Sequence, residues 1–325
     1  MEDKHGRKIN YLRLSVTDRC NLRCRYCMPA AGVPKENHSD ILRFEELLRI
    51  ARVAVAMGVE KIRVTGGEPL VRKGILPFLR DLGQLPGLKR LVLTSNGYGL
   101  VETAEELRSV GVESLNISLD SLRPEVFAEI TRGGDLRRVL AGLAAAERAG
   151  FPFVKLNVVV MRGINDEEVA DFAAMTLDKP YRVRFIEYMP SLKEENWRDL
   201  SVPGEELLAK LARRYRLHPE KRKEELAGPA SYYRIDGAVG KIGVITPVSC
   251  HFCRDCNRIR ITATGLGKSC LFDDLALDLK PVLHSGDETA LREALGHLVA
   301  AKPDRHALDS PGEGHKPFTM ADVGG

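Results

Sequence analysis

Apolar and polar positions change period repeatedly along the first 190 residues of this chain. Short β-branched runs predict strands, and apolar positions three and four apart predict amphipathic helices. Six strands are predicted, at residues 11–16, 61–65, 90–94, 114–119, 153–160 and 181–188. Helices are predicted between them, at residues 44–57, 75–82, 104–110, 136–149 and 166–176. Such a succession predicts an α/β fold, an incomplete TIM-type (β/α)6 barrel.

The pattern changes after about residue 195. A helix near 204–214 leads into a charged stretch at 220–225, and short strands follow at 232–235, 241–245 and 258–262. We expect two domains, a partial barrel over residues 1–220 and a smaller domain of low helix content over 221–325. Residues 303–325, rich in Gly, Pro and Asp, are expected to form a tail.

Composition limits the classes of function. The net charge of +4 indicates no chain-wide nucleic-acid or membrane surface, so any anion site has to be local. No apolar run approaches the ~20 residues that a membrane helix needs. The first ten residues are too polar for a secretion signal, and we expect a cytoplasmic protein.

The seven cysteines form two groups, three at residues 20–27 and four at 250–270. An odd, bunched set favours metal ligation in a reducing compartment over disulfides. Cys20, Cys24 and Cys27 have the spacing C-x3-C-x2-C directly after the first predicted strand. Three thiolates suit three corners of a four-iron cluster with one iron open, whereas a tetrahedral zinc site would lack a ligand.

Positive charges occur where a parallel barrel should be apolar. The six predicted strands contain one acid, Glu187, and seven basic residues, namely Arg13, Lys61, Arg63, Arg90, Lys155, Arg182 and Arg184. Lys61, Arg90 and Arg182 lie at or near strand starts, and we expect them to reach solvent. The other four are expected in the barrel lumen, where unpaired cations are costly unless an anion fills the space. Several cations around one cavity suit a polyphosphate.

The second cysteine group is ambiguous by itself. Cys253, Cys256 and Cys270 give C-x2-C-x13-C, again three ligands, and Cys250 lies three residues upstream. Four sulfurs would make a zinc ribbon or a closed cluster, and for an isolated domain zinc is favoured.

The first cysteine group, with Tyr26 before its last cysteine, resembles the radical S-adenosylmethionine superfamily. The resemblance implies that the open iron chelates the methionine moiety and that electron transfer yields a 5'-deoxyadenosyl radical. It places Tyr26 beside the adenine and Gly67, in the loop Thr65-Gly66-Gly67-Glu68-Pro69, at the methionine amino group. Ser118 and Met189 are implied as further contacts.

Within that superfamily the chain resembles the GTP 3',8-cyclase family along nearly its whole length. The resemblance rests on both cysteine groups and on residues 183–189, 228–230, 245–249, 256–260 and 324–325. It implies a second 4Fe-4S cluster in the C-terminal domain, whose open iron holds the guanine base of GTP. It also implies GTP contacts from Arg13, Arg63, Thr94, Lys155, Arg258 and Arg260, with Arg184 as a further candidate.

The same resemblance implies the reaction and the partners. The adenosyl radical would remove the ribose 3' hydrogen of GTP, and the resulting radical would attack C8 of the guanine. A reductant such as flavodoxin and the downstream cyclic pyranopterin monophosphate synthase are implied as partners, and the chain is expected to act as a monomer or homodimer. Gly324 and Gly325 would form an accessory tail that ends the intact chain and reaches the active site.

Two departures from the family pattern and two alternatives stay open. Cys250 is not needed by the three-ligand scheme and is expected to be a free thiol, and residues 318–323 differ from the usual ending. The cysteine groups alone would also fit a peptide-modifying radical enzyme with an auxiliary cluster. They would equally fit a metal-binding electron carrier without catalytic activity.

Overall fold

A computed structural model describes residues 1–189, 191–192, 197–221, 226, 228–306, 308 and 318–324. In this part of the chain one mixed sheet contains twelve strands. They are β1 (Tyr11–Ser15), β2 (Lys61–Thr65), β3 (Arg90–Ser95), β4 (Ser114–Ser118), β5 (Phe153–Val160), β6 (Arg182–Glu187), β7 (Leu217–Pro219), β8 (Ser231–Ile235), β9 (Lys241–Ile245), β10 (Arg258–Ile261), β11 (Leu266–Lys268) and β12 (Leu277–Asp278).

Eleven α-helices lie in the same described part. They are α1 (Phe44–Ala56), α2 (Ile75–Gly83), α3 (Leu100–Ser109), α4 (Pro124–Thr131), α5 (Leu136–Arg148), α6 (Val169–Asp178), α7 (Trp197–Leu200), α8 (Gly204–Ala212), α9 (Lys280–Ser285), α10 (Glu288–Ala300) and α11 (Met320–Val323). Each of β1 to β5 is followed by at least one helix before the next strand, as the sequence predicted. None of these helices has the length and apolar character needed to cross a bilayer.

The strand order is β12-β11-β10-β1-β2-β3-β4-β5-β6-β9-β8-β7. The eight inner strands, β10 through β9, are parallel, and the antiparallel pairs lie only at the two edges. The central six reproduce the predicted strands, so the incomplete (β/α)6 barrel is confirmed. Because parallel strands need crossovers, helices α1 to α6 lie against the sheet and bury its apolar residues.

The C-terminal part joins the same sheet at both edges. β10 pairs with β1, and β9 pairs with β6, so residues from the end of the chain flank the barrel on each side. The sheet therefore crosses the predicted boundary between residues 220 and 221, which stays a prediction. Residues 222–225 of the charged stretch lie outside the described part.

The expectation of low helix content in the C-terminal part is wrong for residues 280–300, which form α9 and α10. Asp287 caps α10 by accepting hydrogen bonds from the backbone N–H groups of Thr289 and Ala290. The helix buries Leu291, Leu295, Leu298 and Val299 and packs beside α1. These apolar positions have helical spacing, so the sequence contained the signal.

Candidate active site

The first cysteine group lies in the loop after β1 and is fixed from two sides. The backbone N–H groups of Arg23 and Arg25 donate to the carbonyls of Thr131 and Ile130 at the end of α4. Within the loop, Cys27 N–H donates to the Cys24 carbonyl at 2.9 Å, which forms a turn. The carboxyl ends of α4 and β1 therefore place the three thiols at the end of the barrel where active sites of this fold lie.

The three thiols are close enough to affect each other's ionisation. Burial raises the pKa of Cys24 well above its usual value, and the charges of Asp120, Cys27 and Cys20 add to the effect. Burial also raises the pKa of Cys20. Bound metal would relieve this repulsion because it stabilises thiolates.

Gly66 and Gly67, at the end of β2, have a role that the sequence did not predict. A methyl group on Gly67 would lie 2.2 Å from the carbonyl oxygen of Arg19, so it is the cysteine loop that approaches this backbone. Gly67 N–H donates to the Thr17 carbonyl, and Glu68 N–H to the Arg19 carbonyl. The glycine pair thus lets the first cysteine loop pack closely against the end of β2 and hydrogen-bond to it.

Glu68 and Asp120 are buried carboxylates that organise the same end of the barrel. Glu68 accepts from Leu70 N–H, Asn96 N–H and the Ser95 hydroxyl, and burial raises its pKa to about 7. Asp120 accepts from the Tyr26 hydroxyl at 2.8 Å and from Val159 N–H, and burial raises its pKa to about 6. Tyr26 is therefore held against the end of β4.

Three arginines form a row across neighbouring strands. Arg13 on β1 is in register with Arg260 on β10 and with Arg63 on β2. Each is at least nine-tenths buried, and each has a guanidinium nitrogen with no hydrogen-bond partner in the described part of the chain, as does the buried Arg184 on β6. Burial and the neighbouring charges of Arg260 and Arg63 lower the pKa of Arg13 well below its usual value. An anion in this space would supply the missing partners.

Tyr11 lies inside this cluster of cations. Its ring has Lys61 Nζ 4.6 Å and Arg63 Cζ 5.5 Å from its centroid, which are cation–π distances. Burial alone would raise the pKa of Tyr11, but the charges of Arg63, Lys61, Arg13 and Arg258 outweigh it and lower the pKa to about 8.

The second cysteine group lies in the C-terminal part of the chain, in the segments after β9 and after β11. Burial would raise the pKa of Cys256, but the charges of Arg258 and Lys302 lower it to about 6. Glu187, at the end of β6, accepts from the backbone N–H groups of Val248, Ser249 and Gly204 and from the Ser249 hydroxyl. It thereby holds the segment that leads into this cysteine group.

One cavity of about 1860 Å³, mouth included, brings nearly all the predicted site residues together. The predicted residues on its wall are Cys20, Cys24, Cys27, Cys253, Cys256, Cys270, Tyr26, Gly67, Ser118, Met189, Arg13, Arg63, Thr94, Arg184, Arg258 and Arg260. Both cysteine groups therefore open into one space.

Lys155 is placed differently from the other predicted contacts. It is buried, its Nζ donates to the Ser114 hydroxyl at 3.1 Å at the start of β4, and it is absent from the described cavity wall. Lys61 was expected to reach solvent, which is wrong. It is 4% exposed, because its Nζ packs over Tyr11 and donates to the carbonyl of Leu226.

The tail reaches the carboxyl ends of β1 and β2. Gly324 is buried with a φ of 79°, and a methyl group on it would lie 2.8 Å from Ser15 Cβ and 3.3 Å from Thr65 Cγ2. Gly325 lies outside the described residues. Cys250 is exposed and is not part of the described cavity wall.

Several cavity residues were not found from the sequence. Tyr11 shares a strand face with Arg13, and that alternation was a usable signal. His251, Phe272, His306 and Lys302 come from loops and a helix end around the second cysteine group, where no local pattern marks them.

Two family models match the chain, the Radical SAM superfamily over residues 14–176 and Molybdenum Cofactor Synthesis C over residues 181–308. A GTP 3',8-cyclase from Geobacter sulfurreducens is 59% identical over 323 residues, which cover 99% of each chain. The chain belongs to the GTP 3',8-cyclase family. A second relative with that name, from Heliobacterium modesticaldum, is 46% identical over 330 residues and the full length of both chains.

Solved structures support the fold of the family. SuiB from Streptococcus suis bound to S-adenosylmethionine aligns with a TM-score of 0.63 over 90% of this chain and 69% of its own, at 15% identity. SuiB bound to its precursor peptide SuiA aligns with a TM-score of 0.65 over 97% and 76%, at 14% identity. As a member of the Radical SAM superfamily, this cyclase-family chain has S-adenosylmethionine and an iron–sulfur cluster as its cofactors.

Proposed function

We propose that this chain converts GTP into (8S)-3',8-cyclo-7,8-dihydroguanosine 5'-triphosphate, the first step of molybdenum cofactor biosynthesis. The observation that carries the proposal is one cavity lined by two sets of three cysteines and by Arg13, Arg63, Arg184 and Arg260. Each of these arginines has a guanidinium nitrogen with no hydrogen-bond partner among the described residues. Its relatives over the full length are named for this reaction.

Each cysteine group fits a four-iron cluster with one open iron. In each group three cysteines line the cavity, and Cys250, the residue that could close the second set, is exposed and outside the described cavity wall. Bound there, the first cluster would supply the electron that cleaves S-adenosylmethionine into methionine and the 5'-deoxyadenosyl radical. The second would offer its open iron to the guanine base.

The chain's own residues hold S-adenosylmethionine at the first group. Tyr26, fixed by Asp120, would lie along the adenine, and Gly67, on the loop fastened to Thr17, would receive the methionine amino group. Ser118 and Met189, at the ends of β4 and β6, complete the contacts.

The arginine row binds the triphosphate. Arg13, Arg63 and Arg260 present donors in one line across three strands, and Arg184 and Thr94 line the same cavity. Arg258, which packs over Phe252 beside Cys256, would contact the nucleotide near the second cluster. Lys155 adds positive charge near Arg184 and Arg63, although it is absent from the described cavity wall. Such positioning brings the ribose 3' hydrogen to the radical and excludes water.

The reaction balances when an external donor supplies electrons. With one electron from the donor, S-adenosylmethionine would supply the group that takes the 3' hydrogen of GTP, and C3' would then bond to C8. A second electron and a proton complete the product, so GTP and product are isomers. A flavodoxin-type donor and cyclic pyranopterin monophosphate synthase are the proposed partners before and after this step.

Anaerobic reconstitution with iron and sulfide, followed by GTP, S-adenosylmethionine and reductant, tests the proposal. We expect about eight irons per chain, as two four-iron clusters require, and GTP-dependent formation of the cyclised product. Cys270→Ser should lose about half of the iron and all product, whereas Cys250→Ser should keep both. Release of 5'-deoxyadenosine without any cyclised product in the wild type would contradict the assignment.

A further inference from the structure

Two buried cations lie behind the second cysteine group, and neither was predicted as a site residue. Arg7 is 8% exposed and comes from the segment before β1, while Lys302 is 2% exposed and follows α10. Both donate to backbone carbonyl oxygens of the segments that contain these cysteines, and Lys302 also lines the cavity. We call this pair the cation clamp.

Arg7 binds the Cys253 segment. Its Nη1 donates to the carbonyl oxygen of Cys253 at 2.8 Å and to that of Asp304 at 3.0 Å, and its Nη2 donates to that of Pro303 at 2.7 Å. Asp3 orients the guanidinium through Arg7 Nε at 2.6 Å. A residue 246 positions away thus joins a ligand segment to the end of α10.

Lys302 binds the segments of the other two cysteines. Its Nζ donates to the carbonyl oxygen of Arg258 at 2.9 Å and to that of Ser269 at 2.7 Å, and it also hydrogen-bonds Cys256. Arg258 is two residues after Cys256, and Ser269 directly precedes Cys270. Cys253, Cys256 and Cys270 therefore each have a clamp contact on their own residue or within two residues of it.

The buried ammonium group of Lys302 needs negative charge or polar groups nearby. No carboxylate within the described residues forms an ion pair with Lys302, and a buried ammonium without negative charge nearby is costly. The side chain of Cys256 hydrogen-bonds Lys302 instead. A cluster bound through three thiolates would keep negative charge at this place.

We propose that Arg7 and Lys302 are positioning residues that hold Cys253, Cys256 and Cys270 in the geometry of a three-thiolate cluster site before metal arrives. The inference rests on the proposed function, in that the second group binds a four-iron cluster. Charge-assisted hydrogen bonds to carbonyl oxygens fix each ligand segment more strongly than neutral ones would. A cluster bound in this way needs no fourth ligand from the protein.

The test compares Lys302→Met, Arg7→Met and the conservative Lys302→Arg with the wild type after anaerobic reconstitution. Iron and sulfide content and the paramagnetic resonance spectrum of the reduced protein are measured. We expect each Met variant to lose about four of about eight irons together with the second cluster's signal. Cleavage of S-adenosylmethionine at the first cluster should persist, and Lys302→Arg should restore the lost signal.

Lys210→Met is the control, since Lys210 is a partly buried lysine that pairs with Asp166 and lies away from both cysteine groups. It should keep about eight irons. Met variants with full iron and the wild-type spectrum would overturn the clamp while the proposed function stood. Loss of both clusters together would also overturn it, because the residues would then serve the whole fold. A wild type with about four irons would instead refute the two-cluster function itself.

Discussion

Arg13 and Arg260 are register partners on adjacent parallel strands, although 247 positions separate them in the chain. Both are buried, and among the residues that the structure describes neither finds a hydrogen-bond partner for one of its guanidinium nitrogens. Like charges in contact destabilise a sheet unless something compensates. A bound anion is the physical reason that this pair, with Arg63 beside it, is tolerated.

Replacing Arg260 should therefore separate stability from binding. Arg260→Met removes a buried, partly unsatisfied cation, so we expect the melting temperature of the nucleotide-free protein to rise. The same change removes charge-assisted contacts of about 1.5–3 kcal/mol each, so GTP should bind roughly 10- to 100-fold more weakly. Calorimetry and equilibrium dialysis measure the two effects.

Arg234→Met serves as the control for that variant, because Arg234 on β8 is a half-exposed arginine that pairs with Glu220. Neither its melting temperature nor its GTP affinity should change appreciably. Unchanged GTP affinity in Arg260→Met would remove the arginine row from the binding site.

The phosphate groups of a bound nucleotide should stabilise the protein. A ligand that binds only the folded state raises the free energy of unfolding by RT ln(1 + [L]/Kd), which is about 2.7 kcal/mol at a hundredfold excess over Kd. We expect the shift in melting temperature to decrease in the order GTP, GDP, GMP and to weaken with added salt. Equal shifts for GTP and guanosine would show that the phosphates do not meet the arginines.

Tyr11 should ionise near pH 8 in metal-free, nucleotide-free protein. Since the folded pKa is lower than the unfolded value of 10.0, the phenolate stabilises the fold above pH 10, and this contribution is lost as pH falls through 8. Ultraviolet difference titration of the wild type against Tyr11→Phe isolates this group. Triphosphate should raise the pKa by neutralising the surrounding cations, and a titration indifferent to triphosphate would contradict the placement.

Glu187→Gln should weaken the link between β6 and the second cysteine segment. The carboxylate accepts four hydrogen bonds, and an amide would turn N–H groups toward some of these donors. We expect a loss of about 1–3 kcal/mol in the unfolding free energy of the metal-free protein, measured with denaturant. Glu206→Gln, at an exposed ion pair with Arg162, should change it by less than about 0.5 kcal/mol.

Gly324→Ala should displace the tail from the barrel. The new methyl group would meet Ser15 Cβ, and the backbone conformation at a φ of 79° disfavours alanine. Product formation should fall while iron content stays unchanged. Adding Ser15→Gly removes the colliding atom and should recover part of the activity, whereas Thr103→Gly on α3 should recover none.

The sequence predicted the six central strands because each has a continuous or alternating apolar run that does not depend on distant partners. It also predicted lumen positions for Arg13, Arg63 and Arg184, because period-two alternation sets which face a strand residue occupies. It failed for Lys61, since only packing under the segment at Leu226 buries a residue at a strand start.

By itself, then, the sequence determined local structure, cysteine spacing and the family, all of which are encoded in short segments. Only the tertiary structure decided that β10 lies beside β1 and β9 beside β6, which places both cysteine groups on one cavity. It likewise decided the contacts of Arg7 with Cys253 and of Lys302 with Ser269. Such contacts join distant segments through backbone carbonyls, which every residue has, so no residue pattern announces them.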